Sequence, residues 1–291
     1  MLKYQDRFCE VIRYIEANLD SALDIDKLCQ LTYLSKYHFH RQCSAFFGIS
    51  VMSLVKLLRL KRAAYQLAYR GDAKIVDIAL ANGYESHEAF CRAFKKLFNK
   101  SPSAFRRVPD WTLWYSKYEP ISRLRIKLMK DQANFDVQLV EFPATLVAVM
   151  EHRGAPKLLG ETIKKFIEWR KKNRLSPDKS KTFNLLYDDP NFTAPDEYRF
   201  DLCCSIEKKV KEDTNGILNK VIPAGTCAVI RHIGSDDSLG VAVSYLYSRW
   251  LAKSDYQLRD FPVFLERISF FPEITENEII TDIYLPIELH V

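Results

Sequence analysis

The chain has 291 residues, 47% of them hydrophobic, which is long for one ordinary domain and comfortable for two that each bury a core. Its formal charge of +6 is unevenly placed: residues 1–107 hold 18 Lys and Arg against 10 Asp and Glu, and the remainder holds 25 against 27. A basic surface confined to the N-terminal third calls for an anionic partner, and no apolar run approaches the roughly 20 residues that span a bilayer.

The start of the chain, Met1-Leu2-Lys3-Tyr4-Gln5-Asp6, has no apolar signal region behind its charge. The seven cysteines are odd in number and lack CxxC or paired Cys/His spacing, which argues against a disulfide framework and a zinc site. Reduced thiols in a cytoplasmic protein, with no metal and no cofactor, are expected.

Residues 1–107 read as helices, the first with the stripe Phe8, Val11, Ile12 and Ile15. A repeat with an offset of 51 then relates Ile25–Phe46 to Val76–Leu97. In each copy a short helix (Asp24–Leu31, Lys74–Ala81) meets a tight turn (Thr32-Tyr33-Leu34, Asn82-Gly83-Tyr84-Glu85). A serine, Ser35 or Ser86, then opens a second helix (Lys36–Phe46, His87–Phe98). Phe39, Cys43 and Phe46, and Phe90, Phe94 and Leu97, are the expected buried stripes. Short helix, turn, second helix is the helix-turn-helix pattern. Met52–Tyr69 reads as a long helix that holds the two units at a fixed separation. Residues 108–135, with Pro109, Pro120 and the basic run from Arg123 to Lys130, read as a linker with one short element.

Beyond 136 the pattern becomes short β-rich runs. Phe142–Gly154 and Ile222–Gly234, offset by 80, are identical at six of thirteen positions. Each run precedes a helix (near Leu158–Lys172 and Leu239–Lys253, carrying Trp169 and Trp250) and then two strands; Asp201–Ile206 corresponds to Asp282–Ile287 at an offset of 81. Residues 136–291 therefore read as an α+β domain of two repeated β-α-β-β units. Two sheets side by side, each covered by a helix, would leave a groove at the pseudo-symmetry axis, a common place for a ligand.

One α-helix fits the major groove of DNA. Opposite the apolar stripes, the second helices of the two units carry Lys36, Tyr37, His40 and Arg41, and His87, Glu88 and Arg92, as candidate base contacts. Arg pairs with guanine in two bonds, and Glu accepts from cytosine N4, so Arg41 and Arg92 lead this set. Arg59, Arg62, Lys95, Lys96 and Arg106 are candidate phosphate contacts. His38 is expected to pack.

Ile75-Val-Asp-Ile-Ala79, Gly83-Tyr84-Glu-Ser86, Phe90-Cys-Arg-Ala-Phe94-Lys95-Lys96 and Ser101-Pro102-Ser-Ala-Phe105-Arg106 resemble the second half of an AraC/XylS-type DNA-binding domain, and Leu34–Arg41 resembles its first recognition helix. The resemblance spans residues 5–107. It implies a bacterial regulator whose DNA-binding domain works as a monomer on double-stranded DNA, two recognition helices entering successive major grooves. Tyr33 departs from it, because many members have glycine or another small residue in that turn.

Leu186-Tyr187-Asp188-Asp189-Pro190, Arg199-Phe200-Asp201, Arg231-His232-Ile233-Gly234, Trp250-Leu251, Phe264-Leu265-Glu266-Arg267 and Leu285-Pro286-Ile287 resemble the GyrI-like effector-binding domains. That resemblance implies that Glu266 meets a hydrophobic cation in an aromatic pocket, with Trp169, Tyr187, Trp250 and Phe264 as candidate walls. A carboxylate within aromatic walls is costly unless a cation pairs with it, and ring faces attract the same cation. His152 and His232 are expected as products of duplication, and Asp188-Asp189 as part of a turn. No nucleophile–base–orienter set or phosphate-cradling glycine loop is visible, so no catalytic residue is expected. The expected whole is a transcriptional activator that senses a small molecule and engages RNA polymerase. A C-terminal domain that binds a protein partner instead, or that hydrolyses a substrate, stands as the alternative.

Overall fold

Phe8, Val11, Ile12 and Ile15 are buried, as their spacing predicts, along α1 (Tyr4–Ala17). After it come α2 (Ile25–Thr32), α3 (Lys36–Phe47), α4 (Val51–Tyr69), α5 (Ile75–Ala81), α6 (His87–Phe98), α7 (Pro102–Arg107) and α8 (Thr112–Gln132). This is a computed structural model, and it describes residues 4–132, 134–211 and 216–290. The chain divides into two compact units. One is the described residues up to Gln132 with Ser235–Ser238 and Phe271–Glu278; the other is the remainder.

Side-chain caps set the starts of the helices. Asp24 accepts from the N–H groups of Asp26 and Lys27, and Ser35, Ser50, Ser86 and Ser101 each accept from the N–H three residues on. The repeat holds with one refinement. Ile25 and Ile75 begin the short helices, and buried Leu28, Cys29 and Thr32 answer to Ile78, Ala79 and Asn82, so the offset is 50 there. It becomes 51 only at the serine caps, because Glu85 lengthens the second turn. Phe47, rather than Phe46, is the fully buried end of the α3 stripe.

The stretch expected as a linker is mostly helix. The 21-residue α8 begins one residue after Trp111, and Trp111, Trp114, Tyr118 and Ile121 are buried in the core that α1–α7 share. Proline and basic residues suggested a loop, but aromatic residues at 111, 114 and 118 recur at helical spacing.

Within this unit, a charged cluster lies out of water. Glu16 is ion-paired with Arg125, Lys61 with Glu276, and Arg125 Nη1 lies 2.6 Å from Glu276 and 3.2 Å from Asp237. Tyr118 donates to Asp237 at 2.9 Å, and the Lys61 ammonium sits 4.0 Å from the Tyr118 ring centre. Three carboxylates face two cations. Burial pushes the Glu16 carboxyl up to about 7, and its Oε2 has no hydrogen-bond partner among the described residues.

The second unit is built on β1 (Gln138–Phe142), β2 (Thr145–Arg153), α9 (Leu159–Lys172), β3 (Thr182–Leu186), β4 (Arg199–Ser205), β5 (Ile217–Ile222), β6 (Gly225–Ile233), α10 (Leu239–Tyr245), β7 (Tyr256–Leu258), β8 (Val263–Arg267) and β9 (Ile280–Leu289). The two repeats form one antiparallel sheet, in the order β1-β6-β9-β8-β3-β4-β2-β5, with β7 paired to β9. Their first strands are exchanged: β1 pairs with β6 of the second repeat, and β5 with β2 of the first. Phe142 opposes Gly225 while Thr145 opposes Ile222, the same pairing seen from each side of the pseudo-dyad. Asn184 opposes Leu265 where β3 meets β8, on the dyad itself.

Alternation along the strands sends each residue type to its own face. Ala148, Met150, Leu202 and Cys204 meet α9, and Ala228, Ile230, Leu265 and Ile283 meet α10. The opposite face carries Phe142, Val149, Phe183, Cys203, Phe264 and Tyr284.

Glu16 generates a pH test. Its carboxyl titrates near 4.5 in an unperturbed chain and near 7 in the fold, so the folded state binds the extra proton more tightly in that window. The group's contribution to stability is therefore present below about pH 4.5 and is lost as pH rises to about 7. Urea midpoints at pH 5 and pH 8 are expected to differ less in Glu16→Gln than in the wild type; the same difference in both removes Glu16 as the cause.

Candidate functional site

Each helix-turn-helix turn is held by a guanidinium. In the first, Tyr33 follows α2 with φ 56°, the left-handed region, and Arg7 donates to the Thr32 carbonyl at 3.2 Å while its guanidinium lies 5.2 Å from the Tyr33 ring centre. In the second, Gly83 has φ 70° at the matching position. Tyr33 thus keeps the backbone geometry that glycine supplies in the other unit. Arg59 donates to the Gly83 carbonyl at 3.0 Å and to Ser21; Arg62 donates to Asn82 Oδ1 at 2.8 Å and to the Ala81 carbonyl. Asn82, fully buried, also donates to Ile78 and Gln66.

These bonds bear on part of the phosphate-contact set. Arg59, Arg62 and Arg106 are half-buried and bond inside the fold, Arg106 donating to the Ala73 carbonyl at 2.6 Å. A guanidinium used by backbone carbonyls is a scaffold bond before it is a phosphate contact. Lys95 and Lys96 are exposed at the end of α6.

All seven candidate base contacts are exposed: Lys36, Tyr37, His40 and Arg41 on α3, and His87, Glu88 and Arg92 on α6. Spacings of one, four and five residues put each set on one side of its helix. His38 is exposed as well, against expectation. A backbone hydrogen bond at the start of α6, with the Ser86 hydroxyl, holds the Glu88 carboxyl below its usual range, so it stays an acceptor.

On the sheet face away from α9 and α10, Glu266 is buried beside aromatic rings. Its Oε2 accepts from the Tyr284 hydroxyl at 3.1 Å, and its Oε1 lies 2.8 Å from the Lys181 ammonium. Phe264 and Tyr284 stack with centroids 4.9 Å apart, and Phe142 meets them edge-on at 5.0 and 5.3 Å. Phe183 opposes Glu266 across the β3–β8 pairing. Burial first, then the Glu266 and Asp282 carboxylates, push the Tyr284 phenol well up, so it remains a donor.

Across the dyad lies a second acidic cluster. Asp201, fully buried, meets Lys220 at 2.7 Å and Arg153 at 2.8 Å, and accepts from the Tyr187 hydroxyl at 2.9 Å. Glu151 meets Lys220 at 2.6 Å and Arg153 at 2.9 Å. Burial alone would lower the Lys220 ammonium, but its bonds to Asp201 and Glu151 override that and push it up.

Of the expected pocket walls, then, Phe264 stands beside Glu266, and Tyr187 stands on the same face at the other cluster. Trp169 and Trp250 are corrections. Trp169 stacks on Phe166 in the core under α9, and Trp250 stacks on Tyr256 in the core under α10. Both belong to the face away from Glu266. Phe142, Phe183 and Tyr284 were missed; alternation from Asp282 could have found Tyr284, while Phe142 and Phe183 lie on other strands and arrive only through strand pairing. His152 bonds to Thr162 Oγ1 at 2.8 Å and contacts the Ala155 carbonyl. Among the described residues no group of three or more His, Cys, Asp or Glu could hold a metal, and no single helix is long and apolar enough to cross a membrane.

The pattern of the GyrI-like small molecule binding domain matches residues 135–288. The chain belongs to the GyrI-like family. Ahead of that region, a helix-turn-helix domain matches residues 28–108. This GyrI-like protein is thus a DNA-binding transcriptional regulator of the AraC type with a small-molecule-binding domain. It is 36% identical over 153 residues to the probable transcriptional regulator YgiV of Escherichia coli K12, covering 52% of this chain and 96% of that protein. The helix-turn-helix-type transcriptional regulator YbfP of Bacillus subtilis is 39% identical over 103 residues, and the right origin-binding protein of Escherichia coli K12 is 33% identical over 104; each match covers 35% of both chains.

The Gly83 turn generates a stability test. A Cβ at Gly83 would come within 2.8 Å of the Leu19 carbonyl oxygen and 2.7 Å of the Arg59 guanidinium. Left-handed backbone costs a non-glycine residue about 1–2 kcal/mol, and the displaced Arg59 bond adds about 1. Gly83→Ala is expected to lower the urea-unfolding free energy by about 2–3 kcal/mol, and a loss under 0.5 would contradict the close packing.

Proposed function

We propose that this GyrI-like regulator is an activator that reads DNA through the outward faces of α3 and α6 and takes a hydrophobic cation at Glu266. The observation that carries the DNA part is the pairing of two exposed, polar helix faces, each set by the same serine cap and guanidinium-held turn. Arg41 and Arg92 are the leading base contacts, with Lys36, Tyr37, His40, His87 and Glu88 beside them, and Lys95 and Lys96 serve phosphates. Double-stranded DNA, RNA polymerase and a small effector are the partners, in the bacterial cytoplasm, and the protein is not an enzyme.

The observation that carries the effector part is a buried carboxylate among stacked rings, with a phenol donor fixing its orientation. A ligand cation would pair with that carboxylate, and the neighbouring rings attract the same charge.

Selection of bound sites from random DNA, followed by gel shifts on the selected site, tests the DNA part. Arg41→Ala and Arg92→Ala are each expected to weaken binding by about 1–3 kcal/mol, roughly 5- to 150-fold, and to relax preference at one base position. Lys95→Ala is expected to weaken all sequences alike and to flatten the salt dependence. Binding with no sequence preference in the wild type would sink the proposal.

A further inference from the structure

The geometry points to Lys181 as an internal counter-ion that occupies Glu266 until a ligand cation displaces it, and so sets which cations the site accepts. This rests on Glu266 being the ligand's carboxylate. Four observations support it.

Lys181 precedes β3 by one residue and alternates with Phe183 and Leu185 onto the same face as Glu266. Its ammonium lies 2.8 Å from Glu266 Oε1, yet its side chain is 64% exposed against 8% for Glu266. It therefore stands on the solvent side of the carboxylate.

Its backbone is fixed independently. The Lys181 N–H donates to Ser205 Oγ at 2.8 Å, and the Lys181 carbonyl accepts from the Ser205 N–H at 2.9 Å. Displacement then costs side-chain movement alone.

The dyad-related cluster shows the opposite arrangement. Lys220 there bridges two carboxylates at 2.6 and 2.7 Å and is 29% exposed. An exposed pair with one carboxylate is worth little, whereas a bridging cation half as exposed is held firmly. Exchange is thus confined to the Glu266 side.

Finally, the two cations differ in kind. Lys181 brings charge and a flexible stem, and a small hydrophilic ammonium brings nothing more, so it competes poorly. Phe183, Phe264 and Tyr284 beside the carboxylate are themselves buried, so a cation with an apolar body gains their ring faces where it parts them. The site selects lipophilic cations over small ones because an ion pair already exists.

The test is calorimetric titration of the full chain with tetraphenylphosphonium and with methylammonium, for wild type, Lys181→Ala, Lys181→Arg and Glu266→Gln. Lys181→Ala is expected to bind tetraphenylphosphonium two- to five-fold tighter, the equivalent of the ~0.4–1 kcal/mol of an exposed ion pair. Lys181→Arg is expected to stay near wild type, and methylammonium to bind measurably only without Lys181. Equal or weaker binding by Lys181→Ala, with loss in Glu266→Gln, overturns the counter-ion and leaves Glu266 standing. Unchanged binding in Glu266→Gln, or no binding by wild type and Lys181→Ala alike, overturns both. Reductive methylation followed by mass spectrometry gives a second readout. Saturating tetraphenylphosphonium is expected to raise the labelling rate at Lys181, and an unchanged or lower rate contradicts displacement.

Discussion

A carboxylate taken out of water must find a cation or keep a proton, and much of this molecule is arranged to meet that demand. Burial of an isolated charge is far too costly for a fold whose net stability is only about 5–15 kcal/mol. The helical unit gathers Glu16, Glu276 and Asp237 around Arg125 and Lys61, with ring faces of Tyr118 and Trp114 under the ammonium. Of the three carboxyls, Glu16 is the most deeply buried and is the one burial pushes up, to about 7. The sheet unit meets the same demand twice, with Lys220 and Arg153 at Asp201 and with Lys181 at Glu266.

Arginine solves a different problem in the helix-turn-helix units. A tight turn between two short helices leaves carbonyls with no helical partner. Arg7, Arg59 and Arg62 donate to them across 19 to 25 residues of chain. Arg59 and Arg62 come from α4, the long helix between the two units, so one rigid element braces the turn that aims α6. Rigidity there matters for reading DNA, because base edges are recognised only within hydrogen-bond distance.

Both halves of the fold, and their duplications, were legible in the sequence, because apolar spacing and serine caps are local signals. Three features were not. A guanidinium on a helix looks the same whether it faces phosphate or a carbonyl; Arg59, Arg62 and Arg106 find their partners 19 to 38 residues away, beyond any local pattern. Trp169 and Trp250 recur by duplication and suggested a pocket, but a helix packed on a sheet puts its apolar side into the core, away from the face that carries Glu266. The rings that do surround Glu266 lie on strands far apart in sequence, and only the pairing of β3, β8 and β9 brings Phe183, Phe264 and Tyr284 together. Exchange of β1 and β5 was hidden for a simpler reason. Each strand resembles its repeat, so the sequence cannot say which copy it pairs with.

Duplication also explains why one effector site would suffice. Two identical halves would give two equal acidic clusters. Divergence at dyad-related positions breaks the equality: Glu266 stands where the first repeat has Leu185, Tyr284 where it has Cys203, and Arg231 where it has Glu151. In the first half the extra carboxylate, Glu151, draws Lys220 from the exchanged strand β5, and the cluster closes on itself. In the second, Arg231 takes Asp282 in two bonds of 2.8 and 2.7 Å, which leaves Glu266 to Tyr284 and to the exposed Lys181. Asp201 and Asp282 are thus satisfied by the protein's own cations, and Glu266 is the buried acid whose partner is easiest to replace.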